Sequence, residues 1–277
     1  MASLDSYLAD LVRTADQDRY LSVLYAPEDR RDALLALYAF DVEIARVRDL
    51  ISEPMPGEIR LQWWRDVISS DEPGSGHPIA VALLKAIADH RLPRQTFLDY
   101  LEARVFDLYD DPMPSRTDLE GYCGETVSAL FQLAALVLDP AATANAGEAS
   151  GHAGCATGIA RLIRLMPFHR SRGQCFVPLD ILAASGLDRD AFIAGENPAA
   201  MAAAASAMVS LASEHLRAFD AGVSNVPASL RPAFLPMATL PARLGRTDPS
   251  SAYRKPTPDI SALRRHWLLF RRASRGW

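Results

Sequence analysis

The segment Ala33-Leu-Leu-Ala-Leu-Tyr-Ala-Phe-Asp-Val-Glu-Ile-Ala-Arg-Val-Arg-Asp-Leu-Ile51 decides how the chain is read. Leu34, Leu37, Tyr38, Asp41 and Ala45 recur at three- and four-residue intervals, the spacing of one helix face turned toward a core. The same period recurs along the chain and predicts helices over 59–68, 79–90, 94–108, 118–138, 148–166, 188–194 and 199–219. Turn-forming clusters separate them: Glu53-Pro-Met-Pro-Gly57, Asp71-Glu-Pro-Gly-Ser-Gly76 and Asp110-Asp-Pro-Met-Pro114. No run of alternating β-branched residues predicts a strand. The expected fold is all-α. Residues 227–241 read as a proline-punctuated connection with short helical pieces. The alanine-rich stretch 199–207 reads as a helix whose small side chains permit close packing.

The 277 residues are sufficient for one large domain with a buried core, and residues 1–277 are read as one unit. With 29 Lys+Arg against 34 Asp+Glu, the formal net charge is −5. That balance gives no global basic field and excludes a nucleic-acid partner. All the basic residues except Lys85 and Lys255 are arginines, so their positions matter more than their number. Three scattered cysteines, Cys123, Cys155 and Cys175, make no CxxC pair and no disulfide framework. The reading is a reduced, cytoplasmic protein. The N-terminal Met1–Asp10 carries early acids and no long apolar run, unlike a signal peptide or an Arg-rich presequence. The apolar run at 128–138 is too short to span a bilayer.

Residues 263–277 stand apart. Arg264, Arg265, Arg271, Arg272 and Arg275 interleave with Trp267, Leu268, Leu269, Phe270 and Trp277, with no acid after Asp259. Two readings stand: a surface anchor for anionic lipid or a partner protein, or a helix docked through its aromatics with solvated arginines. An anchor would place the protein at the periphery of a membrane's inner face.

No nucleotide-binding glycine loop, zinc-type histidine pair or nucleophile elbow occurs. The six histidines are widely separated and read as structural. Function has to be sought on helix faces.

Two segments carry a resemblance. The first runs from Tyr25 through Pro27, Arg31 and Leu37-Tyr-Ala-Phe40 into Asp41-Val-Glu-Ile-Ala-Arg-Val-Arg-Asp49. The second runs from Gly158 to Met166 and leaves through Arg172-Gly-Gln-Cys-Phe-Val-Pro178. With Tyr122, they resemble the squalene/phytoene synthase family of head-to-head prenyl synthases, from about Tyr20 to the C-terminus. The resemblance implies a single-domain helical bundle around a deep apolar central cavity. It also implies two aspartate-rich motifs that hold Mg²⁺ ions and ionise an allylic diphosphate.

This chain departs from that pattern. The first motif's aspartates fall on Ala45, Arg46 and Asp49, and the arginine usually three residues earlier falls on Val42. The second motif's Asn, Arg-Asp and Asp fall on Arg161, Arg164, Leu165 and His169. If the two faces oppose, Arg46, Arg161 and Arg164 meet one dependable carboxylate, Asp49. Such a set repels a hard dication but can hold an anion. The expected anion-binding residues are Tyr38, Arg46, Asp49, Arg161, Arg164 and His169. Asp49 and Tyr122 are the only catalytic candidates, and no residue is assigned to a metal. Asp49 and Glu53 are an i, i+4 pair, read either as a contact or, in preference, as a solvated helix end before Pro54.

A narrower resemblance rests on Ala36–Glu53, Arg60-Leu-Gln-Trp-Trp-Arg65 and Pro167-Phe-His-Arg-Ser-Arg172. These segments are similar to the degenerate branch of the family that contains the mitochondrial complex I assembly factor. It implies a non-catalytic accessory protein that binds respiratory-complex subunits, or an isoprenoid or lipid ligand, with no cofactor. Arg60, Gln62, Trp63, Trp64 and Arg65 would then form a partner-binding face or pack the cavity mouth; Trp63 and Trp64 point about 100° apart, so at most one is fully in the core, and the sequence does not choose between them. The alternative is an active prenyltransferase joining two prenyl diphosphates at a rearranged site, with Mg²⁺ as its cofactor.

Overall fold

The computed structural model describes residues 4–70 and 76–276. Most of the Asp71–Gly76 turn cluster, the first three residues of the N-terminus and Trp277 lie outside the described residues. Among the described residues sixteen α-helices follow in chain order: α1 Leu4–Ala15, α2 Gln17–Val23, α3 Glu28–Ala45, α4 Pro54–Ser69, α5 Pro78–His90, α6 Arg94–Val105, α7 Arg116–Cys123, α8 Ala129–Leu138, α9 Gly147–Ser171, α10 Leu179–Ala184, α11 Arg189–Ala194, α12 Pro198–Gly222, α13 Arg231–Phe234, α14 Leu240–Leu244, α15 Pro249–Ala252 and α16 Ala262–Arg275. There is no strand among the described residues. The chain is a single all-α bundle around a central cavity.

Every predicted helix is present, and the boundaries move for physical reasons. Helix α4 starts at Pro54, not at Ile59, because Pro54 and Pro56 occupy its first turn, where no intrahelical N–H bond is lost. Helix α9 runs through Pro167 to Ser171, past the expected end at Met166. Helices α7 and α8 form one rod, joined by a π-helical turn at Gly124–Ser128. That 23-residue rod, Arg116–Leu138, is long and apolar enough to cross a membrane by composition, contrary to the shorter run read from sequence. Its apolar window is 67% buried inside the bundle, as in a core helix.

The long helices α9 and α12 pack along each other, and α9 also closes on the π-turn. Gly154 makes that approach possible: a Cβ there would lie 2.4 Å from the Ser128 backbone N and Cα. Between α3, α4 and α6 the interior is filled by Phe40, Trp64, Phe97 and Tyr100, with Phe40–Trp64 and Phe40–Phe97 ring centroids 5.2 and 5.7 Å apart. Trp64 is therefore the core tryptophan, while Trp63 is partly buried and edges against it.

Two buried ion-pair hubs meet on α2, a seven-residue helix. On one side Arg19 Nη1 donates to Asp41 of α3 at 2.5 Å. Asp41 also accepts from Tyr100 at 2.5 Å and from Arg104 at 3.1 Å, both on α6. On the other side the adjacent residue, Asp18, accepts from Arg265 of α16 at 2.8 Å and from Thr239 at 2.7 Å, and pairs with Arg243 at 2.8 Å. Burial alone would push the Asp41 carboxyl up, but Arg19 and Arg104 outweigh it and hold it far below the usual carboxylate range.

Asp41→Asn removes the buried anion shared by Arg19 and Arg104, leaving Arg104 with Asp107 and Arg19 with the more distant Asp16, and breaking a buried pair costs about 3–5 kcal/mol. The expected result is a Tm fall of roughly 5–15 °C for a chain of this size, read by calorimetry. Because the folded carboxyl is depressed, its contribution is complete above the unfolded value of about 3.9 and is lost as pH falls through the folded value. The variant's Tm deficit should thus persist from pH 8 to pH 5, and a deficit that vanishes by pH 5 would contradict the pairing.

Candidate functional site

The central cavity has a volume of about 130 Å³ and is lined from five parts of the chain. The short 3₁₀ turn after α3 supplies Arg48 and Asp49, and the end of α6 with the residues after it supplies Arg104 and Asp107. Tyr122, Thr126 and Val127 come from the α7 end and the π-turn. Gly158, Arg161, Leu162, Leu165, Phe168 and His169 come from α9, and Arg172, Gln174 and Phe176 from the segment after it. This volume is below the roughly 300–1,000 Å³ of sites that enclose a drug-sized ligand. The deep apolar cavity implied by the resemblance is therefore much reduced.

The two facing motifs do converge, but with a different set of arginines. Asp49, Arg161 and His169 line the cavity as expected, and so does Tyr122. Arg46 does not: it caps α3 and is exposed, because the helix tightens into a 3₁₀ turn there and Arg48 takes the inward place. Arg164 lies outside the lining, one turn along α9 from Arg161, exposed on the side of Arg243 and Asp259. Tyr38 is buried elsewhere, beneath the Arg19 guanidinium at 5.1 Å, and burial pushes its hydroxyl up to about 12. Arg48, Arg104 and Arg172, which the sequence reading did not select, complete the site. A face-by-face reading could have found Arg104 from its four-residue spacing with Tyr100 on α6; Arg172 lies beyond the end of α9, where helical phase gives no guidance.

Both carboxylates in the cavity are already engaged. Asp49 accepts from Arg172 at 2.5 Å, not pairing with Glu53, and Arg172 lies 4.2 Å above the Phe168 ring. Asp107 accepts from Arg104 at 3.1 Å and from the Tyr122 hydroxyl at 2.8 Å. Tyr122 in turn accepts from Arg104 at 2.9 Å. Burial raises the Tyr122 hydroxyl well above the ordinary phenol value, and Asp107 adds to the shift against the pull of Arg104. Its proton is held toward Asp107, which makes it a poor acid for catalysis.

The Mg²⁺ ions that the resemblance implies do not fit these residues. A hard dication needs carboxylates free to coordinate, and here four arginines face two carboxylates that already accept from guanidinium groups. Among the described residues no three His, Cys, Asp or Glu side chains are grouped so as to hold a metal ion. An anion fits better. Among the described residues Arg161 has no ion pair or hydrogen bond, Arg48 reaches its partners only at 3.4 Å, and two buried nitrogens, Arg48 Nε and His169 Nδ1, have no hydrogen-bond partner. Guanidinium groups so placed can grip an oxyanion bidentately.

The surface of α4 is paired within the bundle. Arg60 donates to Glu43 at 2.5 Å, Arg65 to Glu102 at 2.6 Å and Gln62 to Asp66 at 2.8 Å. None of Arg60, Gln62, Trp63, Trp64 and Arg65 reaches the cavity lining.

The fold is that of the head-to-head prenyl synthases. The chain superposes on a dehydrosqualene synthase crystallised with a ligand, with a TM-score of 0.81 over 98% of this chain and 95% of that one at 16% identity. A squalene synthase from Alicyclobacillus acidocaldarius gives 0.68 over 87% and 92% at 19% identity. The squalene/phytoene synthase profile matches residues 12–254, and the chain belongs to that family. Among curated proteins it is similar to complex I assembly factor 6 of NADH dehydrogenase (ubiquinone). The rat protein is 33% identical over 237 residues, covering 84% of this chain and 71% of the relative. The human protein is 31% identical over 239 residues, covering 85% and 71%.

Burial holds His169 down to about 4, and Arg161 and Arg172 reinforce this against Asp107. Unfolded histidine takes its proton near 6.5, so the unfolded chain binds more protons between pH 6.5 and 4 and stability falls as pH drops through that window. A ¹³C- or ¹⁵N-detected imidazole titration should show His169 neutral down to about pH 5; a midpoint near 6.5 would contradict the burial.

Proposed function

We propose that this chain is a non-catalytic accessory factor in the assembly of a complex I-type NADH dehydrogenase, built on a prenyl-synthase scaffold. One observation carries the reading: the pocket is lined by four arginines, and both of its carboxylates, Asp49 and Asp107, are engaged by guanidinium groups. Departure of a diphosphate draws most of its assistance from metal ions, and losing one preorganised electrostatic group alone costs about 3–4 kcal/mol of barrier. The similarity to complex I assembly factor 6 supports the accessory role, since it extends over 71% of that protein's length.

The pocket retains a use in this reading. Its free Arg161 and loosely held Arg48 receive a phosphate or diphosphate group, on an isoprenoid or lipid carrier or on a partner, without a metal. The partners are subunits of the respiratory complex under assembly.

Deletion of the gene in its native host tests the proposal. Assembled complex I and its NADH-dehydrogenase activity should fall at least severalfold, with cellular squalene and carotenoid content unchanged, and the wild-type gene should restore both complex measures. Arg161→Ala with Arg48→Ala should restore them poorly while leaving the Tm of the purified protein within about 2 °C, since neither side chain makes a strong contact. Normal complex I in the deletion strain, or lost isoprenoid product, would overturn the proposal.

A further inference from the structure

Helix α16 is attached to the bundle by an unusual face. Its inward residues are Arg265 and Leu269. Arg265 is buried and donates to Asp18 at 2.8 Å and to Asp259 at 2.7 Å, and it also bonds Gln17. Leu269 packs with Leu235, Ala238, Leu21 and Ala273. The sequence reading in which the helix docks through its aromatics is corrected for the two described ones: Arg265 and Leu269 hold the helix, and Trp267 and Phe270 are exposed.

The outward face is a continuous stripe. Leu263, Trp267 and Phe270 lie at i, i+4 and i+7, and they are 82, 54 and 62% exposed. At about 100° per residue, Arg264, Arg271 and Arg275 form a parallel row beside them. The guanidinium of Arg271 lies 5.3 Å from the Trp267 ring centroid. Among the described residues none of these three arginines has a carboxylate within ion-pairing distance, whereas the inward Arg265 has two. No acidic residue occurs from Ile260 to Trp277.

We infer that α16 is a membrane-surface helix, which lays the Leu263–Trp267–Phe270 stripe into the interface of an anionic phospholipid bilayer while Arg264, Arg271 and Arg275 contact its phosphates. Three features of the stripe select this occupant. An aromatic-aliphatic row bordered by long cations is the pattern of helices that lie in the interfacial plane. Tryptophan and phenylalanine side chains insert at headgroup depth, and arginine stems extend along them to reach phosphate. The row of cations lacks any internal counter-charge, which an anionic surface supplies. Because Arg265 and Leu269 fix the other side of the helix to the bundle, binding orients the whole molecule. This inference is independent of the assembly role.

The test is co-sedimentation of the full chain with vesicles of phosphatidylcholine alone and with 30% phosphatidylglycerol. The partition coefficient should be at least tenfold higher on the anionic vesicles at low salt and should fall toward the neutral value at 0.5 M NaCl. Each arginine near an anionic surface contributes about 1 kcal/mol, so Arg264→Gln, Arg271→Gln and Arg275→Gln together should lower it by about a hundredfold. Trp267→Ala with Phe270→Ala should lower it at least tenfold on the same vesicles. All five side chains are exposed, and an unchanged Tm verifies that each variant is folded. Equal partition onto neutral and anionic vesicles, or wild-type partition by either variant, would overturn the inference. Failure of the folded wild type to bind anionic vesicles would also overturn it, and would assign the stripe to an acidic protein surface.

Discussion

The structure depends on the two opposed ion pairs of α2. Asp18 and Arg19 are neighbours in sequence, both buried, and each meets partners on opposite sides of a helix of only two turns. Arg19 ties α2 to Asp41 and, through it, to Tyr100 and Arg104 on α6. Asp18 ties it to Arg243 and Arg265, and so to α14 and α16. Neither charge tolerates losing its partner in a low-dielectric interior, so the register of five helices is set by two adjacent residues. Arg104 extends the same network to Asp107 and Tyr122 in the cavity wall. The scaffold and the site therefore share one set of charges.

That sharing explains what the cavity can do. In a metal-dependent synthase, carboxylates must remain open to cations. Here Asp107 belongs to the structural network and Asp49 is held by Arg172, while Phe176 packs against Phe106 and Tyr122 in the cavity wall. The surplus positive charge sits on Arg161 and Arg48. Electrostatically the site has a sign opposite to what the family's metal chemistry needs, with guanidinium groups outnumbering carboxylates.

Much of this was legible from the residues. The period of Leu34, Leu37, Tyr38 and Asp41 placed Asp41 on the core side, and Ala45, Arg46, Leu165 and His169 revealed the lost aspartates. Helix periodicity treats a segment as straight, however. It could not foresee the 3₁₀ turn that brings Arg48 inward in place of Arg46, nor the π-turn that brings Thr126 and Val127 to the cavity. The sequence reading placed no helix at α2, whose buried Asp18 and Arg19 are charged and add nothing to an apolar period. In α16 the inversion had the same origin: an arginine is buried only when its carboxylates are in place, and Asp18 lies 247 residues away in the chain.

The central claim is that a metal-dependent diphosphate site has become a metal-independent anion pocket. Isothermal titration calorimetry of the purified chain with inorganic pyrophosphate, in Mg²⁺ and in EDTA, tests it most directly. The account predicts the same affinity in both buffers, within about twofold, and at least a tenfold loss in Arg161→Ala. Binding that requires Mg²⁺ and survives Arg161→Ala would contradict it.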